Sequence, residues 1–138
     1  MSTMCQWFGQ HAMKLNTSKT QLLVVGTQQM LRHMPPVSVR VGGCVIAESA
    51  TVRNLGVTFD RTLTFSAHIA GMKNRCVGLL IALSHVKHSL PSELIDTIVQ
   101  SLVISIVRYC ISVYGSTNQT QIKQVQSILN FCARVMSG

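Results

Sequence analysis

The run from Leu94 to Tyr114 limits what this chain can fold into more than any other feature. It is long enough to cross a bilayer core of about 30 Å. Asp96, Gln100 and Arg108 interrupt it, and a central Asp or Arg costs ~2.5–3.5 kcal/mol on insertion scales. A helix that is apolar on nearly every side must instead be packed on several sides within a core. The run therefore predicts a central buried helix. Pro91 stands at its start, Ser92 near the cap, Glu93 in the dipole-favoured first turn and Gly115 at its end.

Such a helix needs neighbours, and the flanking sequence offers two. Ser66 is the expected N-cap of a helix that places Ile69, Met72, Cys76, Leu79, Leu80, Leu83 and Val86 on one face. Another helix is expected to begin near Asn118–Gln121, with Ile122, Val125, Ile128, Leu129, Cys132 and Val135 along one stripe. The first part of the chain reads differently. Met4, Trp7, Phe8, Met13 and Leu15 have a loose helical spacing, ended by the turn residues Asn16-Thr17-Ser18. Gln21 to Val25 reads as a short strand closed by Gly26, and a loop with Pro35-Pro36 follows. Val37 to Val41 alternates apolar and polar residues, Gly42-Gly43 permits positive φ, and Cys44-Val45-Ile46 returns, which predicts a hairpin. Thr51 to Asp60 contains a further strand with Val52, Leu55, Val57 and Phe59 as its apolar residues. The expected class is α+β, with a mixed region over residues 1–62 and three helices over 63–138.

Charge narrows the function classes. Twelve Lys/Arg against four Asp/Glu give +8, and such a surface attracts polyanions, nucleic acid first and anionic membrane second. The acids are Glu48, Asp60, Glu93 and Asp96. Two-metal chemistry needs clustered carboxylates to hold ions ~3.5–4 Å apart, and Asp60 has no acidic neighbour within ten residues. A self-contained hydrolase or polymerase is thereby disfavoured. Cys5, Cys44, Cys76, Cys110 and Cys132 are odd in number and contain no C-x-x-C pair, so separate thiols in a reducing, intracellular compartment are expected. His68, His85 and His88 read as surface or capping residues, and no metal site is expected. Met1 to Gln10 shows no basic stretch leading into an apolar run, so no signal peptide is expected. Aromatic residues make up 5%, too few to suggest a base-stacking platform.

Several strings, in their order, resemble one family. Trp7 to Asn16 followed by Ser18-Lys19-Thr20 is similar to the W-x-x-x-N-x-L-x-L-N-x-x-K-T segment of non-LTR retrotransposon (LINE-like, Jockey-related) reverse transcriptases. Asn54-Leu55-Gly56-Val57-x-Phe59-Asp60 resembles their N-L-G-V-x-F-D block. His68-Ile69, Lys73 and Leu79 to Leu83 resemble the next helix of that family. Leu90-Pro91, Ser105 and Tyr109-Cys110 are similar to the segment that contains S-R-x-D-Y-C-N. Gln126 to Gly138, with Asn130, Ala133 and Arg134, resembles the Q-x-x-x-N-x-x-A-R-x-x-x-G ending. The chain departs from the pattern at His11, at Met13, at Gln21, and at Arg108 and Ile111, where the family has Asp and Asn.

The resemblance implies a C-terminal palm and thumb fragment of an RNA-directed DNA polymerase. Residues 1–62 would be a partial palm, with a motif D-like segment and a primer-grip-like segment at Asn54, Leu55, Gly56 and Val57. Residues 63–138 would be a thumb-like helical region. Lys19 would be the motif D lysine beside the leaving pyrophosphate. The catalytic aspartates and the Mg²⁺ they hold would belong to upstream palm and fingers, and no Tyr-x-Asp-Asp string occurs here. The fragment would then be inactive alone, bind no cofactor and have no membrane partner. Its parental role would be to hold template–primer duplex without sequence preference. Lys73, Arg75 and Lys87 are the expected phosphate contacts, with Lys73 and Lys87 within about 40° of each other on a continuous helix. Two other classes fit the composition: a small basic nucleic-acid-binding or protein-interaction module without enzymatic activity, and a membrane-associated protein using Leu94 to Tyr114.

Overall fold

A computed structural model describes residues 7, 10, 16–109, 111–115 and 117–137. Trp7 and Gln10 are helical, but Met4, Phe8, Met13 and Leu15 of the expected first helix lie outside the described residues, as do Cys5, His11 and Cys110. The chain divides into two compact units, Met1–Arg53 with Asp60–Thr62, and Asn54–Phe59 with Leu63–Gly138. The class is α+β, with four short strands in two hairpins among the described residues, followed by mostly helical structure.

In the first unit the Asn16 side-chain oxygen accepts from the backbone N–H groups of Ser18 (3.1 Å) and Lys19 (3.3 Å). This local turn matches the one read from Asn16-Thr17-Ser18. The strand expected over Gln21–Val25 is reduced to one parallel bridge between Leu22 and Glu48. Its apolar residues find little cover, since Leu22, Leu23 and Val24 are half-buried and Val25 is exposed. A short helix unforeseen in the sequence, α1 (Gln28–His33), follows Thr27, whose Oγ1 accepts from the N–H of Met30 at 3.3 Å. It buries no residue. The hairpin expected around Gly42-Gly43 forms from β1 (Ser38–Val41) and β2 (Cys44–Ala47), antiparallel, with Ser38 opposite Ala47 and Val41 opposite Cys44. Both turn glycines have positive φ, +55° and +84°, the type I′ geometry that matches strand twist.

Thr51 to Asp60 is a second hairpin and not the one strand expected. β3 (Thr51–Asn54) and β4 (Val57–Asp60) pair across Leu55 and Gly56, at φ 46° and 83°. The Gly at the second central position supplies the turn. Leu55, expected among the apolar residues of one strand, lies at the tip and is 82% exposed. A left-handed non-glycine residue costs roughly 1–2 kcal/mol, so contacts from elsewhere must fix this tip.

The second unit holds the main core, built on Ile69, Met72, Cys76, Leu80, Val99 and Ile128, among others. Helix α2 (Ser66–Val86) buries the stripe read from the sequence except Leu79, which packs partly buried, and Val86, which is exposed. Ser66 is its first helical residue and not its cap. Phe65 occupies the cap position in the left-handed region, without a side-chain bond to the helix. Phe65 is buried edge-on against Phe59, with centroids 5.6 Å apart, so packing rather than polar capping sets the helix entry.

The expected single helix over Leu94–Tyr114 is segmented. After a 3₁₀ turn (Lys87–Ser89) come α3 (Ser92–Ile98), a π-helical segment (Val99–Ile104) and α4 (Ser105–Arg108). Tyr109 is extended (ψ 119°), and α5 (Ile111–Tyr114) resumes the helix. A ladder of hydroxyls explains the change of winding. Thr97 donates to the Glu93 carbonyl (2.9 Å), Ser101 to that of Thr97 (2.7 Å), and Ser105 to that of Ser101. Such back-bonding competes with the helix ladder and bends it. The expected burial holds at Ile95, Val99, Val103, Val107 and Tyr114, while Leu94, Leu102, Ile111 and Val113 are exposed. No helix among the described residues is long and apolar enough to cross a membrane.

Helix α6 (Gln119–Met136) starts where expected, with the Asn118 side chain accepting from the N–H of Gln121 at 3.0 Å. It buries Gln121 where Ile122 was expected. The stripe through Ile128, Cys132 and Val135, extended backwards at about 100° per residue, falls on Gln121 and leaves Ile122 to one side.

Candidate nucleic-acid interface

Asn54, Leu55, Gly56 and Val57 form the β3–β4 turn, and a side chain far along the sequence holds it. The Tyr109 hydroxyl donates to the Leu55 carbonyl at 2.7 Å. The Tyr109 ring lies so close to Gly56 that a Cβ there would stand 3.4 Å from its Cε1. On the other side of the turn Val57 is buried, and the N–H of Thr58 donates to His68 Nδ1 at 3.4 Å. His68 therefore caps a strand backbone group, and its ring lies 5.3 Å from that of Tyr114. The arrangement is a rigid hairpin tip with one exposed Leu and one partly exposed Tyr.

Tyr109 is extended because α4 stops there, and its N–H still donates to the Ser105 carbonyl at 3.0 Å. The buried Tyr114 hydroxyl donates to the carbonyl of Val107, a group the helix break would otherwise leave unpaired. Two tyrosines thus close the broken helix, one from inside the core and one at the surface. The sequence contains both residues but no local signal that joins Tyr109 to Leu55.

Lys73, Arg75 and Lys87 are less unified than a continuous helix suggests. Lys73 and Lys87 are half-buried and Arg75 is exposed. Lys73 lies about 60° from the middle of the buried stripe of α2, and Arg75 about 100° away on its opposite flank. α2 ends at Val86, and Lys87 opens the 3₁₀ turn, so the 14-residue angular relation does not carry through to it. Half-buried lysines can lay their stems on apolar surface and keep the ammonium in water.

A basic face on α6 was not singled out in the sequence. Lys123 and Arg134 are eleven residues apart and so fall within about 20° of each other, both exposed and away from the buried stripe. Gln126 and Asn130 share that face and bond to each other at 2.9 Å, and Arg134 lies over the Phe131 ring at 5.4 Å. The eleven-residue spacing was the available signal. In the first unit Lys19 is exposed in the Asn16 turn, and Glu48 pairs with Arg61 at 3.1 Å.

No group of His, Cys, Asp or Glu able to hold a metal occurs among the described residues. Cys76 and Cys132 are buried and Cys44 is exposed. Burial, with Cys132 nearby, pushes the Cys76 thiol up to about 11 against a small opposing effect of Arg75. Burial likewise raises Cys132. Both therefore stay protonated and unreactive at neutral pH.

Comparison with other proteins gives one direction. No family model matches the chain, and no solved structure matches it. The chain is distantly related to a Drosophila melanogaster protein described as a probable RNA-directed DNA polymerase from transposon X-element. The two are 25% identical over an alignment of 138 positions that spans 96% of this chain and 14% of that protein.

Proposed function

We propose that the chain corresponds to the end of the palm and the thumb of a non-LTR retrotransposon reverse transcriptase. In that setting it grips template–primer duplex through phosphates and does no chemistry of its own. The observation that carries this reading is the distant relation along nearly the whole chain to a transposon polymerase. The four scattered carboxylates agree with it, because nucleotidyl transfer needs a cluster of them. Asn54 to Val57 act as the primer-grip-like tip, and Lys73 and Lys87 touch backbone rather than bases, while Arg75, on the opposite flank of α2, stays in solvent. Lys19 is a surface lysine unless a triphosphate site assembles around it.

Salt-titrated fluorescence anisotropy on duplexes of unrelated sequence tests the reading. About two phosphate contacts give a slope of log K against log[salt] near −2, and Lys73→Ala with Lys87→Ala removes most of it. An unchanged slope, or strong preference for one sequence, overturns this interface. Primer extension with Mg²⁺ is expected to give no product. Product that copurifies with the protein and is abolished by chelation overturns the catalytic half of the proposal.

A further inference from the structure

Beside the hairpin tip, Gln100, Ile104, Ser105, Arg108 and Tyr109 line an open groove of about 470 Å³. In a continuous α-helix Gln100 and Ser105 would point about 140° apart. The π segment, at about 4.4 residues per turn, cuts that offset to about 50°. The Ser105 N–H donates to the carbonyl of Gln100, a five-residue closure that brings the two residues to one side of the helix. The hydroxyl ladder that unwinds the helix therefore also gathers the polar residues of the groove.

The lining has a distinct chemistry. Arg108 is exposed and pairs with no carboxylate among the described residues. The Ser105 hydroxyl proton is spent on the Ser101 carbonyl, which leaves its oxygen an acceptor. Gln100 offers both a donor and an acceptor. Ile104 adds apolar surface. Tyr109 is 54% exposed while its hydroxyl is fixed to Leu55, so its ring is an aromatic surface that needs little further ordering to bind.

We propose that this groove takes one unpaired nucleotide of a single strand. Its base lies on the Tyr109 ring, its edge meets Ser105 and Gln100, and its phosphate meets Arg108. A paired base is stacked inside its own duplex and cannot use the ring, whereas an unpaired base can. An acidic peptide satisfies Arg108 but leaves the ring and the acceptor at Ser105 unused, and the +8 chain favours a polyanion over a single carboxylate. The groove shares Tyr109 with the hairpin tip, where its hydroxyl holds Leu55, but uses neither Lys73 nor Lys87.

The test uses the whole chain with a dye-labelled oligo-uridylate and with a blunt duplex. Arg108→Gln removes the charge from an exposed residue, and Tyr109→Phe keeps the ring. Arg108→Gln is expected to weaken single-strand binding on the order of tenfold while duplex binding stays within about twofold. Oligomers carrying 5-iodouridine are expected to crosslink at Tyr109, and Tyr109→Phe to keep the aromatic contact by competition with unlabelled strand. Lys73→Ala with Lys87→Ala is expected to weaken duplex binding and spare the single strand, so the two proposals fail separately. Equal binding of the oligomer by Arg108→Gln, crosslinking confined to other residues, or full displacement by an acidic peptide at equal concentration each overturns the inference.

Discussion

Gly42-Gly43 and Leu55-Gly56 close hairpins with the same turn geometry, both central residues having positive φ. The β1–β2 hairpin buries one side chain, Val41, and a Cβ at Gly43 would meet nothing within 4 Å. The β3–β4 tip has Val57 in the core on one side and the Tyr109 hydroxyl and ring on the other. The first rests on its two glycines, with Thr17 beside Gly42 as the one distant neighbour a Cβ there would meet. The second carries a less suitable residue, Leu55, and is held by a partner fifty-four positions away. A strained tip that tertiary contacts fix is able to present side chains in one arrangement, whereas an open glycine turn presents none.

The comparison breaks most readily in the core. Leu80→Ala is expected to cost about 2–5 kcal/mol, because Leu80 is fully buried among the helices. Val41→Ala should cost clearly less, since little else is buried around it among the described residues of its unit. Urea unfolding followed by circular dichroism at the helical band measures both. Equal losses would mean that β1–β2 is supported as strongly as β3–β4.

Valine in place of the turn glycines sharpens the point. Each change forces a branched residue to positive φ, a strain of roughly 1–3 kcal/mol. Gly56→Val also pushes on the Tyr109 ring, so it should lower the thermal midpoint of the helices, whereas Gly43→Val should leave that midpoint in place. A shared loss would mean that the two tips are equally coupled to the helices. Tyr109→Phe is a smaller change, about 0.5–1.5 kcal/mol for one hydrogen bond. Its mark is faster amide hydrogen exchange at Gly56 and Val57, with exchange at Gly43 and Cys44 unaltered.

The smallest effect at neutral pH belongs to the buried thiols. The Cys76 thiol loses its proton near 9.0 when unfolded and near about 11 when folded. Between those values the folded chain binds more protons, so stability is full below pH 9 and falls as pH rises toward 11. Alkylation at pH 8 should mark Cys44 well before Cys76 and Cys132, as mapped by peptide mass. Early modification of Cys76 would show the core around α2 opening as freely as the β1–β2 tip.

Much of this structure was legible in the chain because it rests on short-range physics. The Gly42-Gly43 turn, the Asn118 cap and the buried stripe of α2 each follow from residues close in sequence, whose φ preference, polar side chain or spacing acts locally. The second hairpin escapes the sequence reading because Leu55, Val57 and Phe59, spaced by two after Val52, mimic one strand, and the positive φ available at Gly56 is the signal against it. Segmentation of the central helix was missed because hydropathy does not register that Thr97, Ser101 and Ser105 repeat every four residues. Of the interface, the candidate residues Asn54 to Val57, Lys73, Arg75 and Lys87 were named from the sequence. The tyrosine clasp and the groove were not, since they join positions distant in sequence.

By itself, the sequence determined the charge, the scarcity of carboxylates, the change from strand to helical period and the presence of one long apolar run. These are properties of composition and spacing, and no fold would alter them. Tertiary structure decided which carbonyl the Tyr109 hydroxyl reaches, which turn is held rigid, and that Gln100 and Arg108 line one groove. Those outcomes depend on a π winding and on contacts across the core, where a partner is chosen by packing and not by its neighbours in the chain.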